Sequence, residues 1–347
     1  MRFREKDIFL SHLRLMSLAQ TGMTGSRFYL VLAGVWENWL NQLVLQRLGE
    51  HKFMDPDLFR KKLEIIKMGI YRVAVKVSAW GYVVYYRNLS EPFTHHELMR
   101  MSRTPFSYSV LFSALTMFLT DHTGDAVHVI PVGIPSSGKT TIMWALLQYL
   151  ADQYRGIKIQ IVEGVPEALN FLLFIPNSEH YILSPEYEEA VQDIEFLYRA
   201  NPYIAVIGEL LGRRDFKMFE IIAGGLTSLT TLHVTNPKEL IPRIRSYDVM
   251  PETFNRTVWV QTHREELPDG SVLRYVRDLW GTSTDIRRSE RVVVNGKSIG
   301  DLMKAEAESE EKLREVLRSI DPSLSADMPE EVAKLFLRAL EKAAGVG

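Results

Sequence analysis

Two glycines, two serines, a lysine and a threonine are grouped in Gly133-Ile134-Pro135-Ser136-Ser137-Gly138-Lys139-Thr140. Their spacing, G-x-x-x-x-G-K-[ST], suits one class of ligand. Gly133 and Gly138 let successive backbone N–H groups turn inward on an anion, and the helix that begins after them adds its positive end to the field. Lys139 extends a charge toward the outer phosphates, and the Thr140 hydroxyl is an oxygen ligand suited to Mg²⁺. The pattern predicts a site for ATP with Mg²⁺, in which residues 133 to 140 and the adjoining Thr141 face the phosphates.

Other candidate groups close apolar runs. Ile157 to Val162 reads as a strand ending in Glu163, with Glu167 shortly after; Tyr203 to Ile207 ends in Gly208-Glu209; Leu229 to Leu232 ends in His233. In a parallel α/β sheet, ligands bind beyond the carboxyl ends of the strands, which is where these side chains emerge. Two carboxylates and an imidazole beside a Mg-nucleotide match what hydrolysis needs. One acid orients or deprotonates water, another holds metal-bound water, and the imidazole senses the γ-phosphate. Taken singly, each has a plainer reading, because a glutamate after a strand is often a solvated loop residue and a lone histidine is often a structural hydrogen-bonder. Their common position at strand ends favours the catalytic reading.

The flanks of the lysine-bearing loop are what such a loop requires. Ala126 to Val132 is an apolar run consistent with a buried parallel strand, although Pro131 forfeits one ladder bond. After the loop, Ile142, Ala145, Leu146, Tyr149 and Leu150 recur at helical spacing. From about residue 106 to 235, strand-like and helical runs alternate, which predicts an α/β domain with a mostly parallel sheet. A hairpin is expected beyond it, Thr257 to Thr262 and Ser271 to Val276 around Pro268-Asp269-Gly270. Charged amphipathic helices divided by Pro322 and Pro329 follow.

Residues 1 to about 66 read as mostly helical, with apolar positions such as Leu30, Val31, Val35, Trp36 and Leu40. A second hairpin follows, in which Tyr71, Val73, Val75 and Val77 alternate with Arg72, Ala74 and Lys76 before a turn at Ala79-Trp80-Gly81. Thr94-His95-His96-Glu97 is a capping box, which makes the paired histidines first-turn surface residues rather than metal ligands. Turn formers cluster between Ser102 and Ser109. The expected division is an N-terminal α+β domain over 1–104, an ATPase domain over 105–297 and a helical segment over 298–347.

The chain has 347 residues, 46% of them apolar and 24% charged, which is ordinary for a globular protein of about two domains. A formal charge of −2 gives no basic field that would make nucleic acid an obligate partner. The longest apolar stretches, Phe28 to Val35 and Tyr108 to Leu119, fall short of the ~18 to 20 residues that span a bilayer, so any membrane association would run through partners or a surface helix. With no leader pattern at the N-terminus, a cytoplasmic location is expected. The absence of cysteine excludes disulfides and thiolate chemistry.

Order and spacing together carry a resemblance. Arg199-Ala200-Asn201-Pro202-Tyr203-Ile204-Ala205-Val206-Ile207-Gly208-Glu209 resembles the R-x-x-P-D-x-x-x-x-G-E segment of the secretion traffic ATPases, the family that powers type II and type IV secretion, type IV pili and related archaeal machines. Glu163-Gly164-Val165-Pro166-Glu167 is similar to that family's acidic box, E-D-P-x-E, and Thr230-Thr231-Leu232-His233 to its S/T-T-L-H histidine box. The resemblance spans about residues 126 to 245. It implies a RecA-like P-loop domain with a mostly parallel sheet, preceded by a smaller α+β, PAS-like domain and followed by C-terminal helices.

It also implies a hexameric ring with ATP at its interfaces and a membrane platform protein as partner, so that the chain sits at the cytoplasmic membrane through that partner. Lys139, Glu163, Glu209 and His233 become the catalytic set. Arg72, Arg199, Arg213 and Arg214 are the candidates for a cation supplied to the nucleotide, in the same subunit or from a neighbour. The implied function is a motor of a secretion, pilus or conjugation system. A nucleotide-binding assembly subunit with little turnover and a DNA-directed RecA-like translocase are the alternatives.

Four positions depart from the family pattern. Ser136 replaces a loop glycine, Gly164 an acidic-box aspartate and Leu226 the first histidine of the histidine box, while Leu210 to Arg214 adds two residues after the acid. These bear on turnover rate more than on nucleotide binding.

Overall fold

Strand pairing overrides the helical expectation at the start of the chain. The computed structural model describes residues 27–33, 70–78, 81–88, 94–121, 126–154, 156–163, 178–182, 187–266 and 272–346. It divides into one unit of residues 1–92 with 164–170 and another of residues 93–163 with 171–347. In the first, β1 (Arg27–Ala33), β2 (Ile70–Ser78) and β3 (Gly81–Asn88) form an antiparallel sheet in that order. The second and third make the predicted hairpin, with Ser78 opposite Gly81. Leu30 and Val31, expected in a helix, lie in β1 and pair with Val73 and Arg72. A short apolar run rich in aromatic and branched residues has no decisive period of its own, and pairing with β2 along the whole of β1 settles it. The rest of the stretch up to residue 66 lies outside the described residues.

The second unit is built around a sheet of eight strands. Its strands are β4 (His128–Val132), β5 (Ile159–Glu163), β6 (Ser178–Ile182), β7 (Ile204–Ile207), β8 (Ser228–Thr230), β9 (Thr257–Glu266), β10 (Val272–Thr282) and β11 (Glu290–Arg291). Their spatial order is β11-β10-β9-β4-β8-β7-β5-β6. The six from β9 to β6 run parallel, and β10 and β11 extend the sheet antiparallel. All of β4 and β7 is buried, as expected of strands that are apolar apart from His128. This is the mostly parallel α/β architecture expected, with the 257–276 hairpin present as β9 and β10.

Helices α1 (His95–Met101), α2 (Pro105–Thr120), α3 (Lys139–Gln153), α4 (Tyr187–Ala200), α5 (Arg213–Ala223), α6 (Ile241–Ser246), α7 (Ile299–Glu308), α8 (Glu310–Ile320) and α9 (Pro329–Ala344) cover the sheet. On one side Phe216, Phe219 and Ile222 of α5 pack with Phe254 and Trp259. On the other, α2 is buried along most of its length and packs against α9. The Thr104 N-cap of α2 makes no side-chain cap bond. Glu306 of α7 takes its place, accepting from Phe106 N at 2.8 Å and Ser107 N at 2.9 Å, and a carboxylate there also suits the helix dipole. The C-terminal helices therefore complete the same unit as the sheet. Gly281 on β10 is a point of close approach, since a Cβ there would collide with Ala343 of α9. None of the described helices is long and apolar enough to cross a membrane.

One further expectation is corrected in part. His96 is exposed, but His95 is buried, at 3% exposure, with its backbone N–H donating to Gln148 Oε1 at 3.1 Å. Helix α1 lies against α3, so the first position after the cap faces inward. Burial and the neighbouring His96 hold the His95 imidazole below its ordinary pKa, while Asp152 pulls it up.

Candidate active site

Strand order decides which side chains meet. Strand β8 lies between β4, which leads into the lysine loop, and β7, which leads to Glu209. A residue closing β8 therefore stands between Lys139 and Glu209. His233 does so: its Nδ1 is 3.1 Å from Lys139 Nζ and its Nε2 is 2.5 Å from Glu209 Oε1. An ammonium can only donate, so Nδ1 accepts and the ring proton sits on Nε2, directed at the carboxylate. Both ends of this chain are tied to backbone. Lys139 Nζ also donates to Ile134 O at 3.0 Å, while Leu210 N donates to Thr231 O at 3.0 Å and Thr231 Oγ1 to Gly208 O at 2.9 Å. These last bonds lock the ends of β7 and β8 together, which fixes the spacing of Glu209 and His233. Lys139 is buried, whereas Glu209 and His233 keep 26% and 34% of their side chains exposed, so a solvent-borne ligand can reach them.

The loop itself is held by the β9–β10 hairpin. Gly138 and Ser136 have φ of 101° and 61°, left-handed values that glycine adopts freely and serine at a cost of about 1 to 2 kcal/mol. Ser136 thus holds a left-handed position of the kind glycine favours. Its carbonyl accepts from Arg274 Nε at 2.9 Å, and Ser137 Oγ meets Thr262 Oγ1 at 2.6 Å. Thr262 Oγ1 in turn donates to Val132 O at 2.9 Å, so the Ser137 hydroxyl is the donor in their pair. Gly133 has φ of 155°, and a Cβ there would lie 2.7 Å from Thr262 O and 2.5 Å from Ser137 Oγ. Gly133→Ala should therefore cost about 2 to 4 kcal/mol from overpacking and backbone strain. Thermal melting should show a drop of several degrees, with nucleotide binding weakened in the folded fraction. A melting curve like wild type's would mean that the hairpin does not brace the loop.

The other predicted residues distribute unevenly. Ile134, Pro135 and Ser136 are exposed at the tip of the loop; Ser137 is buried; Thr140 and Thr141 are half-buried in the first turn of α3. Glu163 closes β5, beside β7, where Gly208 N donates to Val162 O at 3.1 Å. Its side chain lies outside the described residues, as do Gly164 and Glu167. Arg199 is exposed in the last turn of α4, ahead of β7, at the end of the sheet opposite the lysine loop. Arg213 is exposed, and Arg214 is paired with Asp215 Oδ1 at 2.9 Å. Arg72 lies on β2 of the other unit, opposite Arg87.

The departures from the family pattern also find places. Leu226 is buried in the core before β8, away from His233. The two extra residues after Glu209 form an ordered entry to α5, where Leu211 N and Gly212 N both donate to Asp215 Oδ2 at 3.0 Å. Leu210 beneath them is buried.

Sequence reasoning missed Thr262 and Arg274. Each contacts the loop from more than a hundred positions away, and the alternation of the hairpin was their only local signal. Arg274 is a cation that the fold brings to the loop from elsewhere in the same unit.

No protein-family model and no curated protein matches the sequence. Similar solved structures do exist. The Legionella pneumophila ATPase DotB shares 13% identity at a TM-score of 0.43, over 78% of this chain and 66% of that one, just under two thirds of its length. The pilus retraction motor PilT with bound ADP shares 13% at 0.47, over 92% and 79%. The VirB11 ATPase of the Brucella suis type IV secretion system, in complex with sulphate, shares 18% at 0.37, over 80% and 97%.

Proposed function

We propose that this chain hydrolyses ATP with Mg²⁺ and works as a cytoplasmic motor of a secretion, type IV pilus or conjugation system, as a ring-shaped oligomer. The observation that carries the enzymatic part is the Lys139–His233–Glu209 chain at the carboxyl edge of a parallel sheet, next to a phosphate loop of left-handed glycines. A structural lysine would not need two glycine-dependent turns and a carboxylate relay behind it. The residues suit the ligand: a helix N-terminus and inward N–H groups for phosphate, with the Thr140 hydroxyl as a hard oxygen for Mg²⁺. Mg²⁺, when bound, would neutralise charge on the β- and γ-phosphates.

In this reading Lys139 leaves His233 and the Ile134 carbonyl for the β- and γ-phosphates. The Nδ1 of His233 then loses its donor and, on taking up a proton, can donate to the γ-phosphate. Glu209, on the other ring nitrogen, orients or deprotonates the attacking water, with Glu163 holding metal-bound water. Loop occupancy would thus be reported to Glu209 through one imidazole. Arg274 adds a cation from the same subunit. The secretion or pilus assignment rests on the acidic-box, histidine-box and R-x-x-P-x-x-x-x-x-G-E resemblances. The test is steady-state phosphate release from purified protein with ATP and Mg²⁺, and activity indistinguishable from that of a Lys139→Ala control would leave a nucleotide-binding assembly subunit.

Assembly gives a further expected result. In this reading one of Arg72, Arg199, Arg213 and Arg214 reaches the nucleotide of a neighbouring copy. A cation supplied in trans is worth ~10³ to 10⁵ in phosphoryl transfer. Specific activity should therefore rise steeply with protein concentration, in step with the oligomer seen by sedimentation. A monomer with full, concentration-independent activity would remove the ring from this proposal.

A further inference from the structure

Far from the nucleotide loop, His95, His96 and Asp152 bring one ligand atom each to within 4.8 Å of one another. Asp152 lies in the last turn of α3 and the histidines open α1. The geometry points to a divalent transition-metal site of the zinc class at these three side chains, with a fourth position open to solvent, fastening α1 to the distal end of the helix that begins at Lys139.

Three independent features lead there. His95 is buried, yet among the described residues its Nδ1 has no hydrogen-bond partner, and its Nε2 stands 3.6 Å from Asp152 Oδ2, beyond hydrogen-bond distance. Buried polar groups are nearly always paired, and an imidazole left in this way is the form a metal takes. Second, Asp152 puts a carboxylate at the negative end of a helix dipole, and the last turn of α3 contains no basic residue to offset it. A bound cation removes that conflict. Third, His96 is drawn toward the same point, its ring centroid 3.8 Å from that of His95 although adjacent helical side chains ordinarily diverge. Metal–ligand lengths of about 2.0 to 2.1 Å put tetrahedral donors roughly 3.3 Å apart, so the cluster must contract by at most about 1.5 Å. Exposed His96 and Asp152 have the freedom to do so. Two nitrogens and one oxygen suit zinc or cobalt and disfavour Mg²⁺, which keeps this site separate from the nucleotide metal.

The experiment uses full-length, nucleotide-free protein, with Zn²⁺ measured by calorimetry and Co²⁺ by its visible absorption. Wild type should bind one equivalent saturably and show a tetrahedral cobalt band, with a melting temperature raised by zinc. His96→Gln and Asp152→Asn, both at exposed positions that a folded chain tolerates, should each weaken binding at least ten-fold and abolish the zinc-dependent shift. Lys139→Ala should bind zinc as wild type does, so the result is independent of the ATPase proposal. Unchanged zinc affinity in both ligand variants, or no saturable binding up to about 100 µM metal, would overturn the assignment.

Discussion

Lys139→Ala is expected to abolish ATP hydrolysis and to weaken ATP binding by roughly ten- to hundred-fold, the loss of charge-assisted bonds of about 1.5 to 3 kcal/mol. The effect should exceed that of removing one phosphate contact. In the structure the same ammonium donates to His233 Nδ1, and that bond assigns the ring proton to Nε2, facing Glu209. Removing the lysine frees the imidazole to take the other tautomer or a second proton, so the carboxylate behind it loses a defined partner. The loop fold should survive the loss of the Lys139–Ile134 bond, because Thr262 and Arg274 brace the loop independently. Circular dichroism and melting should therefore resemble wild type while equilibrium nucleotide binding and phosphate release fall. Hydrolysis at the wild-type rate would move the active site away from residues 133 to 140.

Local spacing made the lysine-bearing loop legible in the sequence as a turn leading into a helix, since eight consecutive residues contain both the turn chemistry and the charge. The strand ends were legible for the same reason: apolar runs closing at Glu163, Glu209 and His233 each advertise a strand and its terminus. Their meeting depends on lateral order, in which β8 enters between β4 and β7, and no periodicity encodes that order. The family resemblance supplied it indirectly, through boxes whose order along the chain matched. Features that depend on contacts between distant segments were lost. Thr262 and Arg274 read only as alternating hairpin residues; His95 read as a surface residue because a capping box says nothing of what packs on it; and Leu30 and Val31 read as helical because their partner, β2, lies some forty residues on. Ser136 shows the converse, a departure that looked consequential in the one-dimensional pattern yet takes up a left-handed angle of the kind glycine favours.

Glu209→Gln should separate binding from chemistry. Glutamine keeps the size of the side chain and still accepts a hydrogen bond from His233 Nε2, so the relay geometry and ATP affinity should change little. It can neither accept a proton nor carry the charge that polarises water. Loss of a general base typically costs ~10²- to 10⁴-fold, and the loss should fall on kcat with nucleotide affinity retained. Glu163→Gln is the necessary comparison. Its strand neighbours that of Glu209, with Gly208 N bonded to Val162 O, so the two acids leave adjacent strands at the same edge. The contact of Glu209 with His233 favours Glu209 as the base, and Glu163→Gln should then be the milder variant, in keeping with a carboxylate that holds metal-bound water. If Glu163→Gln is equal or worse, the two added residues between Glu209 and α5 have shifted that acid's task to Glu163. Single-turnover hydrolysis measured beside equilibrium ATP binding in both variants decides between these assignments, and wild-type hydrolysis in both would show that neither carboxylate acts on the attacking water.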